Sequence, residues 1–341
     1  MEGLPNIPNS FSVLFAVDIN EILQEKNNSI LFIKRNPHFP NELITVNSNY
    51  SMNYLTLTDT NITSIGNFIG NSRINAVSFF NNSLPDLSRS FISGDDNGNI
   101  CIWNQTNKNP VFTLSVKDKG EVLSLDTKDY YIVAGYGKEI GLWDIRTMKQ
   151  IGKASYAHSE SVNCVKFIET FLISGSEDNI LNIFDLNNNT GEPGTEMKNY
   201  LKKDSVYLTL NLGQSIESVS ELDTGYLSVI STVNTFHVIS TTGIEKFVFD
   251  AKNEQLEIDY ILDSYYNKVS HQVTLFCGNY HGGITLFNCN LSNNPVSIEV
   301  DTKYKCMEEQ TFNSVVKIRE DAFITATDKG KLLVLKKVQN N

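Results

Sequence analysis

Five histidines, five cysteines and a few paired carboxylates are the residues that could carry chemistry in this chain of 341 residues. A zinc site needs Cys or His ligands at short, fixed spacings. His38, His158, His237, His271 and His281 are dispersed, and none stands at such a spacing from another His or Cys. Cys101, Cys164, Cys277, Cys289 and Cys306 include no Cys-x-x-Cys pair, and the first four fall in or beside predicted strands. That pattern reads as buried, reduced thiols of a cytosolic or nuclear protein. Asp95-Asp96 and Glu308-Glu309 could act as acid and base, but both pairs sit in turns or acidic loops, where carboxylates are ordinarily solvated. No Gly-x-Ser-x-Gly elbow, phosphate-binding loop or His-Glu-x-x-His helix occurs. The sequence therefore implies no catalytic residue, no cofactor and no metal. Dispersed acids converging at the centre of a ring would be the remaining route to catalysis.

The elements that hold these residues repeat. "FISGDDNGNICIWNQ" (91–105) is followed by "YIVAGYGKEIGLWDI" (131–145) and then by "FLISGSEDNILNIFDL" (171–186). Each copy is an apolar run, a Gly/Asn/Asp turn that accepts positive φ, and a second apolar run ending on an aromatic: a β-hairpin buried on both faces. Trp103 to Trp143 is 40 residues and Trp143 to Phe184 is 41. A repeat of about 40–45 residues with four strands is a β-propeller blade. Weaker copies lie at 42–58, 225–240, 273–290 and 322–337. Taking the third strands to end near Leu57, Trp103, Trp143, Phe184, Phe236, Phe287 and Leu335 gives seven blades, with steps of 40 to 52 residues. Loop insertions absorb the longer steps, chiefly at 187–205. The expected fold is all-β: one domain over 1–341, a seven-bladed propeller of four-stranded antiparallel blades. The chain stops six residues after Leu335, so the seventh blade lacks its outermost strand. The N-terminal run Phe11 to Val17 is expected to supply it and close the ring, since an open ring leaves bare edges and unburied blade faces.

Composition narrows the function. Net charge is −11 and the isoelectric point is about 5.0, which argues against nucleic-acid binding through a general basic surface. Lys331, Lys336 and Lys337 read as a solvated edge. No run of 18 apolar residues is present, so no transmembrane helix is expected. The opening "MEGLPNIPNS" lacks the basic and apolar regions of a secretory signal.

The third copy, with "AHSESVNCVKF" before it, resembles the WD-repeat family. In that family a blade ties itself together through His, Ser or Thr, Asp and Trp. The resemblance implies that His158, Ser174 and Asp178 form such a network, with Phe184 in the Trp place. Phe has no ring N–H, so the network is expected to end at Ser174. "WDIR", Trp143-Asp144-Ile145-Arg146, resembles the box through which WD-repeat substrate receptors dock on the adaptor of cullin-4 ubiquitin ligases. An Asp and an Arg two residues apart at a strand end can present a fixed ion pair on the rim; equally, the Asp caps the turn and the Arg covers a neighbour. The segments 256–292, "SYAHSESVNCVKF" and "SGSEDNILNIFDL" are similar to the WD repeat-containing protein 89 family, which implies an intracellular, nuclear or cytoplasmic, non-catalytic propeller.

Three readings follow. The first is a protein-interaction scaffold, its contacts drawn from turn residues such as Tyr136, Lys138, Tyr280 and His281, because interface anchors favour aromatic and charged side chains. The second is a ubiquitin-ligase substrate receptor that docks through Asp144 and Arg146. The third is a propeller enzyme with a site in the central channel.

Overall fold

The computed structural model describes residues 9–23, 28–80, 87–116, 120–187, 201–223, 225–252, 257–293, 296–306 and 310–339. The Glu308-Glu309 pair and most of the 187–205 insertion lie outside the described residues.

The described chain begins with β1 (Asn9–Asp18) and a short helix, α1 (Ile19–Leu23). Blade one is β2 (Ile30–Arg35), β3 (Glu42–Asn47), β4 (Ser51–Leu57) and β5 (Ile62–Ile69). Blade two is β6 (Ile74–Phe79), β7 (Ser90–Asp95), β8 (Asn99–Asn104) and β9 (Phe112–Ser115). Blade three is β10 (Val122–Lys128), β11 (Tyr131–Tyr136), β12 (Glu139–Asp144) and β13 (Lys149–Ala154). Blade four is β14 (Val162–Ile168), β15 (Phe171–Ser176), β16 (Ile180–Asp185) and β17 (Val206–Asn211). Blade five is β18 (Ile216–Asp223), β19 (Tyr226–Ser231), β20 (Thr235–Ser240) and β21 (Glu245–Asp250). Blade six is β22 (Tyr260–Asn267), β23 (Gln272–Gly278), β24 (Gly283–Asn290) and β25 (Ser297–Lys305). Blade seven has β26 (Phe312–Arg319), β27 (Ala322–Thr327) and β28 (Lys331–Gln339).

Sequence pattern and position in the blade agree. Every residue of β3, β7 and β27, all second strands, is buried, as expected of strands covered on both faces. The outer strand β17 alternates half-buried and exposed residues, the mark of a sheet edge facing water on one side. The core lies between blades. Tyr54 and Phe68 of blade one pack on Phe91 and Trp103 of blade two, and Phe276 and Leu286 of blade six on Phe323 and Leu335 of blade seven. All seven turns between second and third strands carry a residue of positive φ: Tyr50, Gly98, Gly137, Asn179, Asn234, Gly282 and Gly330. Six are the Gly or Asn that such turns favour.

Blade seven is completed by β1, which runs antiparallel to β28 from Asn9↔Gln339 to Asp18↔Lys331 with a bulge at Leu14. At its start β1 also pairs in parallel with β25, so blades six and seven share one continuous sheet. Gly330 fits the next step of the chain. Its φ is +76°, and a Cβ there would lie 2.3 Å from both Asn20 and the Asn28 carbonyl, where the α1 segment crosses the turn.

The seven first strands line a central channel, each touching the first strands of its two neighbours. All seven carry a β-bulge at the same place, at Leu31, Asn75, Leu123, Asn163, Glu217, Leu262 and Asn313. A bulge turns one extra side chain out of the ladder. The backbone just before the bulge is tied to the preceding blade at six junctions. Asn75 Nδ2 reaches Val122 O (3.4 Å), Ser124 Oγ reaches Val162 O (3.1 Å), and Asn163 Nδ2 reaches Ile216 O (3.0 Å). Ile261 N donates to Asn234 Oδ1 (3.0 Å), Phe312 N to Tyr260 OH (3.1 Å), and Asn313 Nδ2 to Ile30 O (2.8 Å).

The third strands end at Leu57, Asn104, Asp144, Asp185, Ser240, Asn290 and Gln339. Phe236 instead is the second residue of β20, and Phe287 lies within β24. Aligned on Leu172↔Phe184, the register puts Leu55, Ile239 and Cys289 opposite Leu43, Leu227 and Val273. An aromatic is a poor marker of this position, because any apolar side chain fills it once no indole bond is made.

Candidate functional site

The first constellation holds blade four together. His158, in the loop before β14, places Nδ1 3.2 Å from both carboxylate oxygens of Asp178 and Nε2 2.7 Å from Ser174 Oγ. Asp178 also accepts Ser159 N (2.8 Å) and Ile180 N (3.0 Å), so it caps the turn. The network does not end at Ser174. Asn182 Nδ2 lies 3.4 Å from His158 Nε2 and donates to Ala157 O (2.9 Å), while Thr209 Oγ1 donates to Asn182 Oδ1 (2.6 Å). With Ser and Asn donors both aimed at Nε2, that nitrogen is an acceptor and the proton sits on Nδ1. Burial holds the His158 pKa below its ordinary value although Asp178 opposes this, so the imidazole is neutral. The hydrogen bonds from Ser159 and Ile180, with His158, hold the Asp178 pKa below the usual carboxylate value against its desolvation. Phe184 is fully buried. Blade two shows the other half of the scheme: Trp103 Nε1 donates to Ser93 Oγ at 2.8 Å.

The second constellation is at the end of β12, on the face where first strands end. Arg146 Nε lies 2.9 Å from Asp144 Oδ1 and Nη2 2.6 Å from Oδ2, a two-pronged pair. Its guanidinium lies 4.7 Å from the Tyr130 ring centroid. These bonds raise the Arg146 pKa and hold that of Asp144 below the carboxylate norm. The Arg146 side chain is 48% exposed, and Asp144 is buried. Nearby, a cavity of about 200 Å³ opens between blades three and four, lined by Tyr131, Leu142, Phe167 and Leu186 among others.

The remaining candidates are on the opposite face. Lys138 meets Glu160 at 3.4 Å, and Tyr280, 63% exposed, packs its ring at a 45° tilt 5.4 Å from that of Tyr260. His281 is exposed beside it. Tyr136 is a correction. It is 1% exposed, packs on Trp143, and takes a hydrogen bond from Gln150 on its hydroxyl (3.3 Å), so it cannot contact a partner. The turn is only Gly137-Lys138, which leaves Tyr136 in the strand.

Two buried networks escaped the sequence. In blade five His237 Nδ1 meets Glu245 Oε1 (2.6 Å), its Nε2 meets Thr235 Oγ1 (2.9 Å), and Thr235 meets Ser231 (2.7 Å) and Gln214. The alternating polar residues of "TFHVIS" were the available signal. In blade one Tyr54 OH donates to Glu42 Oε2 (2.5 Å), Asn36 bridges both, and Arg89 meets Glu42 at 3.1 Å.

The channel contains two adjoining cavities of about 700 and 390 Å³. Water can reach their side chains, but protein surrounds each of them. Accordingly burial lowers the Lys34 pKa and raises those of Asp263 and Glu217, although Lys34 and Asp263 oppose each other's shifts. Lys166 is paired to Asp126 at 3.1 Å. Among the described residues no group of three or more His, Cys, Asp or Glu could hold a metal ion. Nor is any described helix long and apolar enough to cross a membrane.

A search of solved structures pairs the chain with the WD40 β-propeller domain of Doa1, at a TM-score of 0.69 and 12% identity over 96% of this chain and 97% of that one. The family model "WD domain, G-beta repeat" matches residues 150–185. The fold is a WD40 propeller.

The match at 150–185 runs from β13 to the end of β16, so the WD40 sequence repeat takes its first strand from the preceding blade. Among curated proteins, the WD repeat-containing protein 89 homolog of Dictyostelium discoideum is 24% identical over 258 residues, covering 71% of this chain and 66% of that protein. The F-box/WD repeat-containing protein 9 of Bos taurus is 28% identical over 120 residues, covering 35% of this chain and 26% of that protein. The chain thus spans just under two thirds of the first relative and about a quarter of the second.

Proposed function

We propose that this WD40 propeller is a non-catalytic, intracellular platform for other proteins, and that the Arg146 edge of blade three is one of its docking points. The observation that carries this is the state of Arg146. Asp144 and Tyr130 hold it in one orientation, it is half-exposed, and Nη1 makes no hydrogen bond to the described residues. A pre-oriented Arg loses little freedom on binding, and Arg beside an apolar pocket is a common anchor. Asp144 and Arg146 lie on the opposite face from Lys138, Tyr280 and His281, so the two groups would serve different partners.

The same pair supports a second reading, docking on a cullin-4 ligase adaptor through Trp143-Asp144-Ile145-Arg146. Trp143 is buried, which leaves Arg146 as the contact.

Affinity purification of the tagged chain from its own cells tests both, alongside Arg146→Ala and Tyr280→Ala. A stoichiometric partner that Arg146→Ala loses and Tyr280→Ala keeps supports the docking point, and a cullin adaptor as that partner supports the second reading. Full retention by Arg146→Ala rejects the docking point, and absence of any stoichiometric partner rejects the platform.

A further inference from the structure

The ring of bulge residues in the channel alternates in character around the blades. Blades one, three and six contribute Leu31, Leu123 and Leu262, and blades two, four and seven contribute Asn75, Asn163 and Asn313. Blade five contributes Glu217. Each Asn commits its amide nitrogen to a main-chain carbonyl of the next blade, and Asn75 Nδ2 also reaches Asp96 at 2.7 Å. The amide oxygens make no hydrogen bond within the described chain, and neither does the Glu217 carboxylate. The ring therefore offers hydrogen-bond acceptors and one carboxylate, set between aliphatic side chains.

We propose that the larger channel cavity binds a linear alkylammonium, a free diamine or polyamine, with a nitrogen on Glu217 and its methylenes against the three leucines. An ammonium has three donors and no acceptor, which matches a wall of acceptors. The Glu217 side chain is open to the water of the channel and has no partner among the described residues, so its carboxylate is free to take a cation brought to it. Burial raises the Glu217 pKa, in keeping with a group that has no counter-charge of its own. The cavity of about 700 Å³ is of small-ligand size. The adjoining cavity, which Glu217 also lines, carries the cations Lys34 and Lys166; Lys166 is paired with Asp126, and Lys34 interacts with Asp263. Arg73 also lines this larger cavity and its charge opposes any cation, so the hold on the amine rests on Glu217 and the ring of acceptors.

The test is calorimetric titration of the whole chain with spermidine and with 1,4-diaminobutane, using 1,4-butanediol as the uncharged control. Salt is set at about 0.15 M, where exposed charges more than about 8 Å apart are screened. The variants are Glu217→Gln and Glu299→Gln, the latter on the outer strand β25. Glu217 makes no hydrogen bond, so its change should leave the melting temperature intact. The expected result is saturable amine binding that Glu217→Gln weakens at least about tenfold and Glu299→Gln leaves unchanged. The proposal is overturned by absence of binding, by equal binding to Glu217→Gln, by equal binding of the diol, or by an equal loss in Glu299→Gln. The last would mean diffuse attraction to a chain of net charge −11.

Discussion

Asn313 Nδ2 donates to the carbonyl of Ile30 at 2.8 Å, and this bond crosses the seam between the last blade and the first. Leu occupies the same bulge in blades one, three and six, so Asn313→Leu fits sterically and removes the bond alone. The expected cost is about 1 kcal/mol, rising to about 3 if the carbonyl is left without water. The urea midpoint reads it, and an unchanged midpoint would show that the seam does not depend on the bond.

The neutral His158 makes stability depend on pH. Its folded pKa lies below that of the unfolded chain, about 6.5 for a free imidazole. Below that pH the unfolded chain takes up a proton that the folded blade refuses, so stability falls as pH drops from about 7 to 5. His158→Asn should flatten this slope in a melting series, and an identical slope would assign it to another group.

Removing residues 1–20 deletes β1 and opens the ring. Blade seven would lose its outer strand and expose the β28 edge, at a cost above about 5 kcal/mol for the lost pairing alone. The truncated chain should aggregate or melt far below the parent. An unchanged melting temperature would mean that the ring closes without β1.

Arg146→Ala should barely affect folding, within about 1 kcal/mol, because a half-exposed ion pair contributes little. Asp144→Ala should cost more. It removes the acceptor that caps Arg146 N at 2.9 Å as well as the buried partner of the guanidinium. Chemical denaturation of the two variants gives the comparison, and equal losses would refute the capping role.

Legibility in the sequence followed from how local each feature is. The hairpins could be read because a doubly buried pair of strands and a Gly/Asn turn are written in consecutive residues. The closing role of Phe11 to Val17 could be read from a missing strand at the other end. His158, Ser174 and Asp178 stood out because the third copy keeps its spacing. Asn182 did not, since its role appears only when Phe184 removes the indole. Tyr136 misled because the turn after it is two residues long. The His237–Glu245 contact joins neighbouring strands at positions that no repeat marks. The channel ring stayed hidden because a bulge is a one-residue shift between strands, and each residue of the ring comes from a different blade.

The order of synthesis and the order of assembly are opposed in this ring. β1 is made before any of the seven blades, yet its partner β28 ends at Gln339, the last described residue. At about 5–20 residues per second a ribosome needs roughly 15–65 s to make the intervening chain. Throughout that time the strand "NSFSVLFAVD" has no native mate. The final pairing joins the first and last described strands, a separation that makes closure slow relative to the formation of each blade. A cell making this protein must therefore keep one apolar strand from wrong partners until the last blade is complete.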